Sequence, residues 1–102
     1  MHLVQLLLPT TDNEGRALSR ELFARVRTEL LERFGGITGY TRSPAKGIWL
    51  DESAESVDDD LVVYEVVVDQ LDRAWWRKYL GALEANFRQE RLHVRAMQME
   101  LL

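Results

Sequence analysis

The polar residues that could do chemistry in this sequence are few, and most of them interrupt apolar stretches. Glu65 interrupts the run LVVYEVVV, Gln5 interrupts LVQLLL, and His93 and Arg95 alternate with apolar residues in the run LHVRAM. If these stretches are strands, the four side chains share one sheet face as polar groups in an apolar surface, as in small-molecule pockets. Glu65 is then a candidate base, and Arg95 is a candidate anion-binding group.

A structural role for the same residues stays open. A charged side chain on a central strand must be paired, so Glu65 could form a structural pair with Arg95 or Gln5, either across the sheet or between subunits. The two histidines have no supporting carboxylate at ligand spacing, and the sequence has no cysteine. We therefore expect neither a metal site nor a thiolate nucleophile. No cofactor motif is present, and we expect no cofactor.

A second candidate group lies in the stretch FGGITGYTRSPAKGIW. Tyr40 and Arg42 alternate with Thr41 and so share one face of a predicted strand, and Trp49 lies in the connection that follows. That connection, about residues 44–60, is longer than a hairpin turn and too apolar around Trp49 to extend into water. We interpret these three residues as further candidate ligand-binding residues. The alternatives are a packing role for Tyr40 and a solvated Arg42, with the connection acting as a lid, an arm or a tether.

Size and charge narrow the class of protein. The 102 residues suit one domain spanning 1–102, and 46% hydrophobic residues are enough for a core. The net charge of −4 argues against nucleic-acid and anionic-membrane partners, which need a clustered basic face. No segment approaches the ~20 apolar residues of a membrane span, and the opening stretch lacks the features of a signal peptide. We expect a cytoplasmic protein.

Hydrophobic periodicity and local signals predict six elements. We expect strands over residues 3–8, 37–43, 60–69 and 92–101, a helix over 16–34 that Gly35 ends, and a helix that Asp69 caps and that ends near Arg88. Two further glycines suggest close approaches. Gly39 would admit a neighbouring group beside its strand, and Gly81 would allow the two helices to approach each other.

The element order β-α-β-β-α-β resembles the ferredoxin-like fold. This α+β fold has a four-stranded antiparallel sheet of order 4-1-3-2, with both helices on one face. The runs LVVYEVVV and LVQLLL are apolar on both of their faces, although two helices can cover only one face of the sheet. We therefore expect a second copy of the chain to cover the other face, as a homodimer.

That architecture is similar to the dimeric α+β barrel superfamily, in which two ferredoxin-like subunits pack sheet to sheet, and it also resembles small bacterial proteins of this size. The resemblance covers the whole chain. The superfamily includes cofactor-free monooxygenases, isomerase-like enzymes and non-catalytic ligand binders, so the resemblance implies no single activity. The expected function is small-molecule binding on the open sheet face of a homodimer. The alternatives are a cofactor-independent monooxygenase- or isomerase-like enzyme and a purely structural or interaction module, so catalysis stays an open question.

Overall fold

The computed structural model describes residues 1–42 and 61–102. The elements follow the order β-α-β-β-α-β: β1 His2–Pro9, α1 Arg20–Phe34, β2 Thr38–Arg42, β3 Leu61–Val68, α2 Arg73–Asn86 and β4 His93–Gln98. The strands form one antiparallel sheet with the order β2-β3-β1-β4. The predicted α+β fold class and the strand order 4-1-3-2 are therefore confirmed. β4 is shorter than expected, and β2 begins one residue later than expected.

The hydrophobic core lies between the helices and one face of the sheet. Alternate residues of the two central strands are buried there, namely Val4, Leu6 and Leu8 of β1 and Tyr64, Val66 and Val68 of β3. They pack with the apolar stripes of the helices, in which Phe23, Val26 and Leu30 of α1 and Trp76, Tyr79 and Leu83 of α2 are buried. The period of two along the strands and of 3.6 along the helices produces this layer.

The N-terminus of α1 lies four residues later than the sequence pattern indicates. Ser19 caps the helix, and its Oγ accepts a hydrogen bond from the backbone N–H of Leu22. The preceding residues form a turn around Asp12, whose Oδ1 accepts the backbone N–H groups of Glu14 and Arg16 at 2.9 Å. The prediction that α1 begins at Arg16 was wrong, because Asp12 bonds a local turn instead of a helix terminus.

The C-terminus of α1 agrees with the expectation. Gly35 has a left-handed conformation with φ of 79°, and its backbone N–H donates to the carbonyl of Leu31 at 2.8 Å. This is the single 5→1 hydrogen bond of an αL cap, which glycine adopts without steric cost. The cap ends the helix one residue before the chain turns towards β2.

The N-terminus of α2 differs from the prediction, whereas its C-terminus lies within two residues of the expected end near Arg88. Asp72 caps the helix, not Asp69, and its Oδ1 accepts the backbone N–H of Trp75 at 3.1 Å. The helix ends at Asn86, and Phe87 after it is fully buried in the core. Two aspartates three residues apart are equally good caps by type, and the structure selects the one whose helix places Trp76 in the core.

Aromatic side chains of the two helices form one cluster. Trp76 stacks on Phe34 with ring centroids 5.3 Å apart, and Trp75 stacks on Tyr79 at 4.8 Å. The Arg33 guanidinium lies 4.2 Å from the centre of a Trp75 ring. These contacts join the C-terminal end of α1 to the N-terminal half of α2.

Of the two close approaches predicted at glycines, the one at Gly39 is present and the one at Gly81 is not. A Cβ on Gly39 would lie 3.0 Å from the ring of Tyr64, so the expected close approach at this strand is confirmed. Gly81 is exposed, and a Cβ there would meet nothing within 4 Å. The interpretation of Gly81 as a point of close contact between the helices was wrong, because this position faces away from the core.

Candidate functional site

The candidate site lies on the open face of the sheet, the face opposite the helices. Antiparallel pairing places Gln5 of β1 directly between Glu65 of β3 and Arg95 of β4. Thr38 of β2 pairs with Glu65 on its other side. One polar row therefore crosses all four strands, because residues in register point to the same face.

Hydrogen bonds connect the side chains around this row. Gln5 Nε2 donates to Glu65 Oε2, and Arg95 Nε donates to Gln5 Oε1 at 2.9 Å. The hydroxyl of Tyr40, one row away on β2, donates to the same Glu65 oxygen at 3.3 Å. We call Tyr40, Glu65, Gln5 and Arg95 the four-strand network.

Gln5 separates the two charges of this network. Its amide donates to the Glu65 carboxylate on one side and accepts from the Arg95 guanidinium on the other. Of the two structural pairs considered for Glu65, the contact with Gln5 is direct, and the connection to Arg95 passes through Gln5. Both charged groups can therefore bond an additional molecule, since a carboxylate has about four lone-pair sites and a guanidinium has five N–H donors.

Apolar residues surround the four-strand network on the open face. On one side lie Leu7 and Val63, and on the other lie Leu3, Val67 and Met97. Val67 and Met97 remain 44% and 41% exposed, whereas Val63 is 2% exposed. The face therefore has the composition of a ligand-binding or subunit-contact surface: a short polar line between apolar residues.

The structure does not join every sequence-predicted residue to the network. His93 lies on the same face in the next row, in register with Leu7, and is exposed. Arg42 is the last residue of β2, paired in register with Leu61. Trp49 and the connection over residues 44–60 lie outside the described residues. Four of the seven candidate residues thus form the network, and His93 lies beside it.

Sequence reasoning missed Thr38. Its position opposite Glu65 follows from the register between β2 and β3, which the sequence alone does not define. A contact on the helix side was also missed, since Arg27 Nη1 donates to the hydroxyl of Tyr64 at 2.8 Å. The available signal in the sequence was that Arg27 directly follows Val26, which belongs to the core stripe of α1.

Within the two described ranges, two titratable groups have shifted pKa values, and both lie away from the open face. Hydrogen bonds from the backbone N–H of Arg16 and of Glu14, together with the Arg16 charge, lower the pKa of Asp12 below its usual range, against an opposing effect of burial. Burial, with a contribution from the negative charge of Glu29, raises the pKa of Tyr79. Within residues 1–42 and 61–102, no group of three or more His, Cys, Asp or Glu side chains is arranged to hold a metal ion.

The fold and the site together define a ferredoxin-like α+β protein with a polar network on its uncovered sheet face. No helix in the described ranges has the length and apolar character needed to cross a membrane. No protein-family model, curated protein or solved structure matches this chain.

Proposed function

We propose that the chain forms a homodimer that binds a small molecule on the open face of the sheet, over the four-strand network. The observation that supports this proposal is the network itself, a hydrogen-bonded polar line between apolar residues of the same sheet face. The ligand class that complements it has a flat apolar body, a hydrogen-bond donor for Glu65 and an anionic or carbonyl oxygen for Arg95.

The dimer in this proposal covers the apolar residues around the network. Val67 and Met97 are more than two-fifths exposed in one chain, on a face that carries further leucine and valine side chains. A second copy related by a two-fold axis would bury the same patch on both chains. The resemblance to the dimeric α+β barrel superfamily supports sheet-to-sheet packing, which would also remove water from the network and strengthen its hydrogen bonds.

A cofactor-independent enzyme is the second candidate. The observation that favours it is the contact between the Tyr40 hydroxyl and the Glu65 carboxylate, because a carboxylate beside a phenol in an apolar surface is a reasonable base for proton abstraction. A purely structural dimer is the third candidate, in which Gln5 and its partners only satisfy one another. The ligand-binding protein and the enzyme both require the open face to accept a small molecule, and the structural dimer does not.

The test combines sedimentation with binding of 8-anilinonaphthalene-1-sulfonate, an aromatic anion that becomes fluorescent in apolar sites. We expect a dimer at micromolar concentration and an Arg95→Ala variant that binds the probe about tenfold more weakly, because a charge-assisted hydrogen bond is lost. Arg91→Ala is the matched control, since Arg91 is exposed and lies just before β4.

Lys78→Ala is a second control that removes a charge on the helix side of the sheet, since Lys78 is exposed on α2. Equal affinities of the wild-type protein and the Arg95→Ala variant would contradict the proposed site. A dimer that leaves the probe dark would support the structural candidate instead. A stable monomer at micromolar concentration would contradict the dimer.

A further inference from the structure

A cleft of about 230 Å³ lies on the other side of the molecule, between α2 and β4. The α2 residues that line it are spaced i, i+3, i+4 and i+7, so they lie on one face of the helix. The floor of the cleft is apolar. The lining residues are Arg73, Trp76, Arg77 and Leu80 of α2, the preceding Leu71, Val4 of β1, and Val94, Arg95 and Ala96 of β4. None of the open-face residues Gln5, Tyr40 and Glu65 takes part.

The cleft reaches the outer edge of β4. Three consecutive residues of this strand line it, although successive side chains of a strand point to opposite faces. A cleft in contact with all three must therefore include the strand's backbone edge. Among the described strands β4 pairs only with β1, so its outer edge has no strand beside it.

The outward backbone groups of β4 can be identified from its register. The backbone N–H of Met99 donates to the carbonyl of Met1 and so points towards the β1 side. Because N–H directions alternate along a strand, those of Val94, Ala96 and Gln98 point away from β1. β4 contains no proline or lysine, the residues that commonly block edge pairing.

The α2 side of the cleft carries positive charge. Arg73 and Arg77 are exposed on α2, and neither makes an ion pair within residues 1–42 and 61–102. Among the residues of the two described ranges, no acidic side chain lines the cleft. Arg95 Nε is bonded to Gln5 on the opposite sheet face, so the two α2 arginines are the cations that we assign to the cleft.

We propose that β4 and α2 form a docking groove for an extended acidic peptide of a partner protein, which adds to the sheet as a fifth strand beside β4. The outward N–H groups of β4 bond the peptide backbone, and Trp76 with Leu80 contacts an apolar side chain. Arg73 and Arg77 bond two carboxylates. This occupant uses the free edge, the apolar floor and the two charges together, whereas a small anion would leave the edge unpaired.

The spacing of the two arginines suits an extended peptide. Four residues along a helix advance by about 6 Å, and two residues along a strand advance by about 6.8 Å. Side chains two apart in a strand point to the same face, so acidic residues at positions i and i+2 of the peptide can meet Arg73 and Arg77. An apolar residue at position i+4 then lies further along α2, towards Leu80.

The experiment uses a blocked, fluorescein-labelled hexapeptide with glutamate at its first and third positions, leucine at its fifth and threonine elsewhere. Fluorescence anisotropy measures its binding to the full chain. We expect Arg77→Ala to weaken binding about fivefold, with a similar loss for Arg73→Ala and a larger loss for the double variant. Lys78→Ala is the matched control, because Lys78 is exposed on α2 and does not line the cleft.

Two N-methylated peptides separate strand addition from simple charge attraction. One carries N-methyl groups at its odd positions and the other at its even positions. In a strand, alternate N–H groups face the sheet, so we expect one of the two peptides to lose binding at least about tenfold and the other to bind nearly as well as the parent. Hydrogen exchange should slow at the N–H groups of Val94, Ala96 and Gln98 when the parent peptide binds.

Three results would overturn the proposal. The first is no binding of the parent peptide up to about 1 mM. The second is equal binding of both methylated peptides, which would assign the cleft to side chains or small anions alone. The third is concentration-dependent protection of the Val94, Ala96 and Gln98 amides in the free protein, which would show that a second copy occupies this edge. The Arg95→Ala probe experiment is unaffected by these outcomes, so the two proposals fail separately.

Discussion

The two faces of the sheet differ although the same strands form both. On β3, Val66 points to the helices and is 2% exposed, while the next residue, Val67, points to the open face and is 44% exposed. The helix face is closed by aromatic and aliphatic side chains of the same chain. The open face carries comparable apolar residues with the four-strand network among them. Hydrophobicity along a strand thus predicts that a face will be covered but does not say by what.

The largest expected difference between the faces concerns two neighbouring leucines of β1. Leu6 is fully buried on the helix face, and Leu7 is half-buried on the open face. We expect Leu6→Ala to lower the free energy of unfolding by about 3 kcal/mol and Leu7→Ala by about 1 kcal/mol, because the first leaves a cavity. Urea denaturation at low protein concentration measures both. If the stability loss of Leu7→Ala instead rose with protein concentration until it equalled that of Leu6→Ala, a second chain would pack Leu7 as tightly as the helices pack Leu6.

The second prediction concerns the close contact between Gly39 of β2 and the ring of Tyr64 on β3. We expect Gly39→Ala to cost about 2 kcal/mol, because the added Cβ would lie 3.0 Å from the buried ring of Tyr64 and that ring must shift. Gly81→Ala on α2 is the matched control, since its Cβ meets nothing. Alanine favours a helix over glycine, so this control should stabilise the protein by up to about 1 kcal/mol. A neutral Gly39→Ala variant would show that β2 adjusts freely at this edge.

The third prediction compares two tyrosine hydroxyls on the helix side. Tyr64 accepts a hydrogen bond from Arg27, whereas the buried hydroxyl of Tyr79 has no partner among the described residues. We expect Tyr64→Phe to cost about 1 kcal/mol and Tyr79→Phe to change stability by less than about 0.5 kcal/mol or to increase it. Thermal denaturation of both variants measures the difference. A clear loss in Tyr79→Phe would mean that its hydroxyl bonds a buried water or another group.

The same tyrosine predicts a pH dependence. Burial raises the pKa of Tyr79 in the folded state, so the folded protein holds this proton more tightly than the unfolded chain does. Stability should therefore fall as the pH rises above about 10, the ordinary pKa of tyrosine. Urea midpoints between pH 8 and pH 11 measure this decrease, and it should be smaller in Tyr79→Phe. An identical decrease in that variant would assign it to other groups.

The smallest effect is expected at Asp12, which follows β1 and belongs to neither face. Hydrogen bonds from the backbone N–H of Arg16 lower its pKa in the folded state, so its contribution is present above the unfolded pKa and is lost as the pH falls through the folded one. Asp12→Asn should reduce the acid dependence of the urea midpoint below about pH 4. An unchanged acid dependence in Asp12→Asn would assign that dependence to other groups.

The fold followed from the sequence because its signals were periodic and long. LVVYEVVV formed β3, Leu61–Val68, within the expected range 60–69, and the alternation around His93 and Arg95 formed β4 with the expected faces. Helix starts were harder to predict, since Asp12, Ser19, Asp69 and Asp72 are all chemically able to cap a helix. Only tertiary packing selects among them.

Part of the candidate site could be predicted from the sequence. Alternation alone predicted that Gln5, Glu65 and Arg95 share a face, and strand order then made them neighbours. The sequence did not indicate that Gln5 lies between the two charges, because that depends on a register of single residues. The groove beside β4 was missed for another reason: Arg73 and Arg77 resemble ordinary solvent-exposed charges until the strand beside them is known to be an edge.

The pairing of β1 with β4 has a consequence for how the protein folds. Gln5 and Arg95, which are hydrogen-bonded in the native state, are separated by 90 positions along the chain. Forming such a long-range contact requires a large loop to close, which costs chain entropy before the contact contributes any favourable energy. Folding is therefore expected to be slower than for a helical protein of the same size. During synthesis β1 emerges first, and it must wait for both of its neighbours. Until β4 has been synthesised, the backbone edge of β1 that pairs with it has no partner strand, and an unpaired edge favours pairing with other chains.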